Sequence, residues 1–280
     1  MKPEVRREKI AFGVLLAATL LVVIPVAAII VLIVTKGWSA LSWEFLFSMP
    51  REGMRAGGIF PAIVGTVYLV FISLAFALPI GVMAAIYLSE YAKDNALTRI
   101  INLAIINLAG VSSVVFGLFG LSLFVVFLKF GVSIIAGALT LGIMTLPVII
   151  TTTREALRAV PASYREVSFS LGASRWQTVR HAVLPQALSG ILTGAILSVG
   201  RVAGETAPIL FTVAAFYLPN LPRGLSDQAM ALPYHLYVIT TQIPGIPESY
   251  RYGTALVLIG FVLIMNIIAT VIRSKTARKR

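Results

Sequence analysis

The sequence predicts an all-α protein, a polytopic membrane bundle of six transmembrane helices. Three observations carry that expectation. Hydrophobic residues make up 58% of the 280 residues and charged residues only 12%, about half of the roughly 25% charge found in soluble domains. Six stretches nearly free of Asp, Glu, Lys and Arg are each long enough to cross a bilayer, which takes about 20 apolar residues. The basic residues gather in the gaps between those stretches. Together with a mean hydropathy of +0.94, this excludes a disordered chain and an ordinary soluble enzyme. A net charge of +12 on a soluble protein would suggest nucleic acid. Here the positive-inside rule accounts for it.

The spans fall at about 10–34, 60–89, 100–128, 131–153, 186–216 and 252–272, in one membrane domain covering 1–280. The first follows Lys2, Arg6, Arg7 and Lys9 but runs for 25 residues. A signal-peptide core has only about 7–15, so an uncleaved span is expected. The second is the apolar part of Ala56–Ser89. Gly131, after Lys129 and Phe130, reads as a tight turn between the third and fourth spans. The fifth is interrupted by Arg201 and Glu205. Between the fifth and sixth spans lie Pro219, Pro222, Pro233, Pro244 and Pro247, a density that predicts a capping loop with short helices instead of another span.

Orientation follows from counting Lys and Arg. With both termini cytoplasmic, sixteen fall on the inner side, six in outer loops, and Arg201 in the membrane. Trp38 and Trp43, just past the first span, suit an interfacial position. Pro25, Pro79, Pro147 and Pro208 read as kinks, and Asn102, Asn107 and Asn266 as interhelical hydrogen-bonding groups. The absence of cysteine excludes disulfides, thiolate catalysis and cysteine–metal sites. His181 and His235 are too far apart to suggest a metal site. His235 reads as structural, and Thr66, Ser112 and Ser113 as pathway candidates without a basis for choosing among them.

Arg154–Pro185, REALRAVPASYREVSFSLGASRWQTVRHAVLP, is the longest cytoplasmic segment between spans. Pro161 breaks it. Ser163 with Glu166 three residues on forms a capping-box pattern for a helix that stops at Gly172. A second helix is expected from Ser174 to His181, with Pro185 opening the fifth span. On residues alone the segment is either an amphipathic surface helix or a docking element. Glu166, Gly172 and Ala173, then Leu184 and Pro185, resemble the "EAA loop" of ABC-importer permeases, although Val167-Ser168 and Ala182 depart from that pattern. The resemblance implies coupling helices that insert into an ATP-binding subunit, within a type I ABC-importer permease fold.

Arg201 and Glu205 are four apart, which on a continuous helix puts them on one face. From Pro185, Arg201 is 16 residues in, about 24 Å of helical rise. Charges at such depth cost at least about 2.5–3.5 kcal/mol each, and pairing offsets part of that. Gly200 and Gly204 would let a neighbouring helix approach. The pair reads either as a packing salt bridge or as an anion gate, since arginine's planar fork matches phosphate oxygens. GRVAGETAP at Gly200–Pro208, with SSVVFGLFG at Ser112–Gly120 and ALPYHLY at Ala231–Tyr237, resembles the A-type permease subunit of the high-affinity phosphate uptake system. Ser112-Ser113 stands where that family is expected to have Pro-Ser, which predicts a less kinked third span.

What the resemblance implies is a bacterial inner-membrane importer. This chain would pair with a homologous C-type permease, with two ATP-binding subunits, and with an extracytoplasmic phosphate-binding protein. Arg201 and Glu205 would act on the translocation pathway. No GxxxxGK[ST] loop is present, so ATP hydrolysis would belong to a separate subunit, and no cofactor is expected. The alternatives are a permease for sulfate or molybdate, and a self-contained secondary transporter. The latter has no use for an ATPase-docking loop.

Overall fold

A computed structural model describes residues 3–218 and 220–278. Lys2, Pro219, Lys279 and Arg280, which entered the charge and proline patterns, lie outside the described residues. The helices are α1 (Pro3–Gly37), α2 (Trp43–Phe47), α3 (Phe60–Ile86), α4 (Ala96–Ala109), α5 (Ser113–Gly120), α6 (Ile134–Arg158), α7 (Ala162–Ser170), α8 (Arg175–Thr178), α9 (Leu184–Gly204), α10 (Ala207–Thr212), α11 (Leu232–Thr241) and α12 (Glu248–Arg278). A two-residue hairpin, β1 (Pro50–Arg51) with β2 (Ala56–Gly57), sits in the loop between the first two spans. Five helical stretches are long and apolar enough to cross a membrane, and α4 with α5 and its extension make a sixth candidate.

That sixth candidate departs from expectation. Instead of one helix over 100–128, α4 and α5 meet at 105°. Gly110 ends α4, and Ser112 has extended backbone (ψ 145°) before α5 begins. The serine pair therefore sits at a sharp break, not at a gentler kink. Contacts explain the angle. A Cβ on Gly117 would meet Ala207 O at 3.1 Å and Phe211 Cδ2 at 2.6 Å, and Gly120 lies against Thr140. So α5 leans directly onto α10 and α6. The pair still crosses the bundle. Asn102 Oδ1 accepts from Arg154 Nη1 (2.7 Å) at one end of α6, while the chain leaves α5 beside the opposite end, at Ser133. The turn there carries Lys129 and Gly131 at φ +56° and +67°.

The fifth span also differs. It begins at Arg175, ten residues before Pro185, and stops at Gly204 rather than 216. A single wide turn, Val179–Val183, joins α8 to α9. Widening the helix there accommodates Pro185, whose ring and missing N–H conflict with regular helix in the preceding turn.

Small residues set the packing of α3, α6 and α9. Gly81 faces Ile149 and Gly142 faces Phe76, while Gly190 meets Ala156 and Gly194 meets Thr152. Close approach of this kind drives helix association where lipid gives no hydrophobic preference for the partner. The core gathers Leu69, Val70, Leu141, Met144, Val202 and Ile209 with Met230, Leu232 and Ile239 from the loop between the last two spans. That loop is a cap, as its prolines predict. It carries α11, and Asp227 O and Leu225 O accept from Ile134 N and Ile135 N at the start of α6 (2.8 and 3.0 Å). Those N–H groups have no partner within their own helix. Thr66 Oγ1, buried in α3, accepts from Leu232 N (2.8 Å) and so braces the cap, which is a different task from lining a pathway. By contrast α1 exposes its apolar side chains from Ala11 onward nearly all round. Its C-terminal end is fixed to α12 by Lys36–Glu248 (2.8 Å) and by Gly37 against the backbone of Tyr252.

Candidate functional site

Arg201 occupies the last turn of α9, and Glu205 is the first residue beyond it, with extended backbone (φ −76°, ψ 135°). The expected shared helical face is therefore not what joins them. The chain breaks at Gly204–Thr206 and restarts as α10 with Pro208 in its first turn. Glu205 folds back across the helix end, with Oε1 3.7 Å from Arg201 Nε. Among the described residues no hydrogen bond holds this guanidinium. The side chains keep 32% and 18% of their exposure, so the pair is half-buried and reachable.

Its depth follows from register. The contacts Gly190–Ala156 and Gly194–Thr152 define an antiparallel alignment of α9 and α6. Continued along both helices, that alignment sets Arg201 near Thr145, close to the middle of Ile134–Arg158. Contacts with α12 agree: Thr193 Oγ1 accepts from Arg273 Nη1 (3.0 Å), and Gly200 faces Asn266. The pair thus lies at mid-bundle, on irregular backbone. Such backbone is tolerated at membrane depth only where protein or a water-filled cavity covers it. Gly200 gives Asn266 close access as a flat site should, whereas nothing stands within 4 Å of a Cβ on Gly204. Asn266 Oδ1 is buried without a hydrogen-bond partner, contrary to the interhelical bond expected of it. Asn102 does make one, to Arg154.

The loop 154–185 is built as two short helices around a glycine. The predicted Ser163–Glu166 capping box is absent. The helix starts at Ala162 after Pro161, which puts Ser163 inside the first turn, where its hydroxyl cannot serve the capping position. Gly172 has φ +78°. Its N–H donates to Phe169 O (2.9 Å), and Ala173 N–H donates to Ser168 O (3.2 Å). This pair of bonds is a Schellman motif, closing the carbonyls at the end of α7. Ser174 then caps α8 in a complete capping box with Gln177. Beyond the lipid-facing helices, this loop exposes Val167 (61%), Phe169 (46%) and Leu171 (82%), with Glu166 exposed among them. A groove of about 500 Å³ runs between Tyr164, Val167, Leu171, His181 and Gln186. Leu184 and Pro185 sit apart from this tip. Leu184 packs at the base against the cluster of Leu157, Val160, Val183 and Ala187. Arg201 lies 17 residues along α9 from Leu184, about 26 Å away, so the two groups of candidate residues form separate sites.

Sequence reasoning missed Glu90. It sits in a wide turn, Tyr87–Tyr91, that extends α3, and pairs with Arg165 of α7 (2.6 Å). Seventy-five residues separate them, so no local spacing signals the contact. Gly117 and Gly120 were also passed over individually, although the stretch containing them was noted.

Residues 77–278 match a family described as "Binding-protein-dependent transport system inner membrane component". The chain belongs to this family. Among relatives, it is 34% identical over 276 residues to a probable ABC transporter permease protein of Bacillus subtilis, covering 94% of this chain and 93% of that one. It is 34% identical over 261 residues to phosphate transport system permease protein PstA 1 of Mycobacterium tuberculosis, with coverage of 92% and 85%. A chain of a bacterial alginate ABC transporter superposes with TM-score 0.70 at 14% identity, covering 95% of this chain and 94% of that one. A chain of the MetNI methionine ABC transporter gives 0.60 at 17%, covering 78% and 94%. The fold is thus that of ABC-importer permeases. As an inner membrane component of a binding-protein-dependent system, the chain is a transport subunit and not an enzyme.

Proposed function

We propose that this chain is the A-type permease subunit of an ATP-driven importer of inorganic phosphate. It pairs with a homologous C-type permease around one pathway. Two ATP-binding subunits dock on the cytoplasmic face, one of them in the loop 154–185 through Glu166, Gly172 and Ala173. An extracytoplasmic phosphate-binding protein delivers the substrate. Both termini are cytoplasmic, a placement supported by the distribution of Lys and Arg, and ATP is hydrolysed on the partner subunits. Kinship with phosphate permeases supports the substrate. The exposed Val167, Phe169 and Leu171 support the docking surface.

The observation that carries the reading is the Arg201–Glu205 pair. It lies at mid-bundle on a helix break, at 3.7 Å and partly exposed. Pairing at that separation leaves the fork free to turn toward an arriving anion, while Glu205 keeps the empty pathway near neutral. Phosphate then competes with Glu205 for the guanidinium.

The test is phosphate uptake by Arg201→Gln, Glu205→Gln and the double variant at matched membrane levels. Glutamine keeps most of arginine's length and loses the charge and the fork. Two charge-assisted hydrogen bonds are worth about 3–5 kcal/mol together, so uptake by Arg201→Gln should fall by roughly 100-fold or more with the complex still assembled. If the double variant transports like the parent, the pair is a packing device and the gate reading is wrong.

A further inference from the structure

The most completely bonded guanidinium among the described residues is not in the membrane. Arg165 of α7 places Nε 3.1 Å from Glu90 Oε2 and Nη2 2.6 Å from Glu90 Oε1, a bidentate pair. The same guanidinium donates from Nη1 to Val160 O and from Nη2 to Leu157 O, both at 3.0 Å. Only 22% of the Arg165 side chain and 11% of the Glu90 side chain remain exposed. One planar group thus closes carbonyls at the end of α6 and grips the end of α3, while riding on the loop helix α7. No residue of α7 is itself buried, so packing alone holds this helix weakly. Its other side-chain tie to a neighbouring element is the hydroxyl pair Ser168–Thr178, 2.8 Å apart.

The covalent route from the loop into the membrane runs backward into α6 and forward into α9. Helix α3 has no chain connection to the loop. It nevertheless carries Thr66, which braces the outer cap through Leu232 N, and its glycines and those of α6 interlock. We propose that Arg165 is a positioning residue that links the docking loop directly to α3 through Glu90. A displacement of the loop is then delivered to α3 and α6 together. This rests on the reading of 154–185 as the ATPase-docking element. The two halves of the contact are separable: Glu90→Gln releases α3 but leaves Arg165 bonded to Leu157 and Val160, whereas Arg165→Gln loses both.

The experiment uses the assembled complex in proteoliposomes, with phosphate-loaded binding protein outside and ATP inside. Phosphate carried per ATP hydrolysed is measured alongside copurification of the ATP-binding subunit. Glu90→Gln should copurify normally and keep ATP hydrolysis within about twofold, yet carry at least tenfold less phosphate per ATP. Arg165→Lys keeps a charge without the fork and should fall between parent and Glu90→Gln. A parental ratio in Glu90→Gln overturns the link. Should Glu90→Gln assemble poorly, the double variant Glu90→Cys/Arg165→Cys in this cysteine-free chain replaces the pair with a cleavable thiol-reactive tether. Coupling should return on cross-linking and vanish on cleavage, and a tether that restores nothing also overturns the link. A readout independent of substrate is the ATP-driven distance change between spin labels at Met83 of α3 and Leu263 of α12, both exposed. Glu90→Gln should abolish it. If the parent moves but carries no phosphate, the substrate assignment fails and the link stands. If Glu90→Gln moves as the parent does, the link fails.

Discussion

Substitution at Gly172 separates backbone demand from space. Its φ of +78° lies in the left-handed region, and nothing stands within 4 Å of where a Cβ would go. A larger side chain therefore meets no neighbour, and the whole cost is conformational. For a residue other than glycine that cost is about 1–2 kcal/mol, at the upper end for a β-branched side chain, and asparagine tolerates the conformation best. The Schellman bonds from Gly172 and Ala173 are of similar worth, about 0.5–1.5 kcal/mol each, so such a strain competes with the motif that sets the loop's shape. At about 1.4 kcal/mol per tenfold, Gly172→Ala should weaken binding of the ATP-binding subunit about fivefold and Gly172→Val about thirtyfold. Gly172→Asn should stay near the parent. The assay is affinity copurification of that subunit from membranes with equal amounts of inserted permease, followed by phosphate uptake. Parental behaviour of Gly172→Val would remove the docking role of the bend. An order in which asparagine is worse than valine would show that side-chain contact, not φ, governs the position.

Gly65→Ala should destabilise the purified permease by about 1–3 kcal/mol, because its Cβ would press on Met230 O, a rigid backbone atom. Gly260→Ala in α12, with open space around it, should leave thermal stability unchanged or slightly higher, and equal melting of the two would contradict the packing argument. His235 in the cap is held down to about 4 by burial, from an ordinary value of 6.5. The unfolded chain therefore binds more protons between those values, and stability is lost as pH falls through that window, by about 3 kcal/mol in full. Melting curves from pH 7 to pH 4 should show that loss in the parent and a much smaller one in His235→Gln; identical slopes would count against a neutral buried histidine. A reporter active only outside the cell, fused after Arg280, should stay silent, and activity there would invert the topology.

How much was legible depended on the range of the cause. The spans announce themselves through hydropathy, and the loop between the last two spans through its prolines, because those signals are carried by neighbouring residues. Gly172 was legible for the same reason: a helix end needs a left-handed residue, and glycine supplies it cheaply. The breaks were not. Hydropathy over 100–128 is continuous, so a sharp turn at Gly110–Ser112 leaves no trace in it, and in the fifth span Arg201, Glu205 and Pro208 interrupt the pattern without fixing a helix end at Gly204. They are imposed by contacts between distant segments, Gly117 on Ala207 and Phe211, and Gly120 on Thr140. The capping box failed because Pro161 starts α7 two residues early. Glu90 and Arg165 are joined only by the folded bundle.

The break after Gly204 changes what the charged pair is. On a continuous helix, Arg201 and Glu205 would be one more i,i+4 bridge, worth a few tenths of a kcal/mol in water and insufficient to offset the cost of two charges at mid-bundle. In the folded chain Arg201 stands instead at the C-terminal end of α9, where the unpaired carbonyls and the helix dipole favour a cation. Glu205, freed from the helix, reaches it from the far side of the chain break. The helix end thus supplies part of the stabilisation that a tight ion pair would otherwise have to provide. That is why the pair can remain at 3.7 Å without either charge being stranded. If Glu205 alone stabilised Arg201, displacing it would leave the guanidinium dependent on the arriving anion. On the proposed gate, the end of α9 would go on favouring the cation when Glu205 is displaced, and the arriving anion would supply the rest.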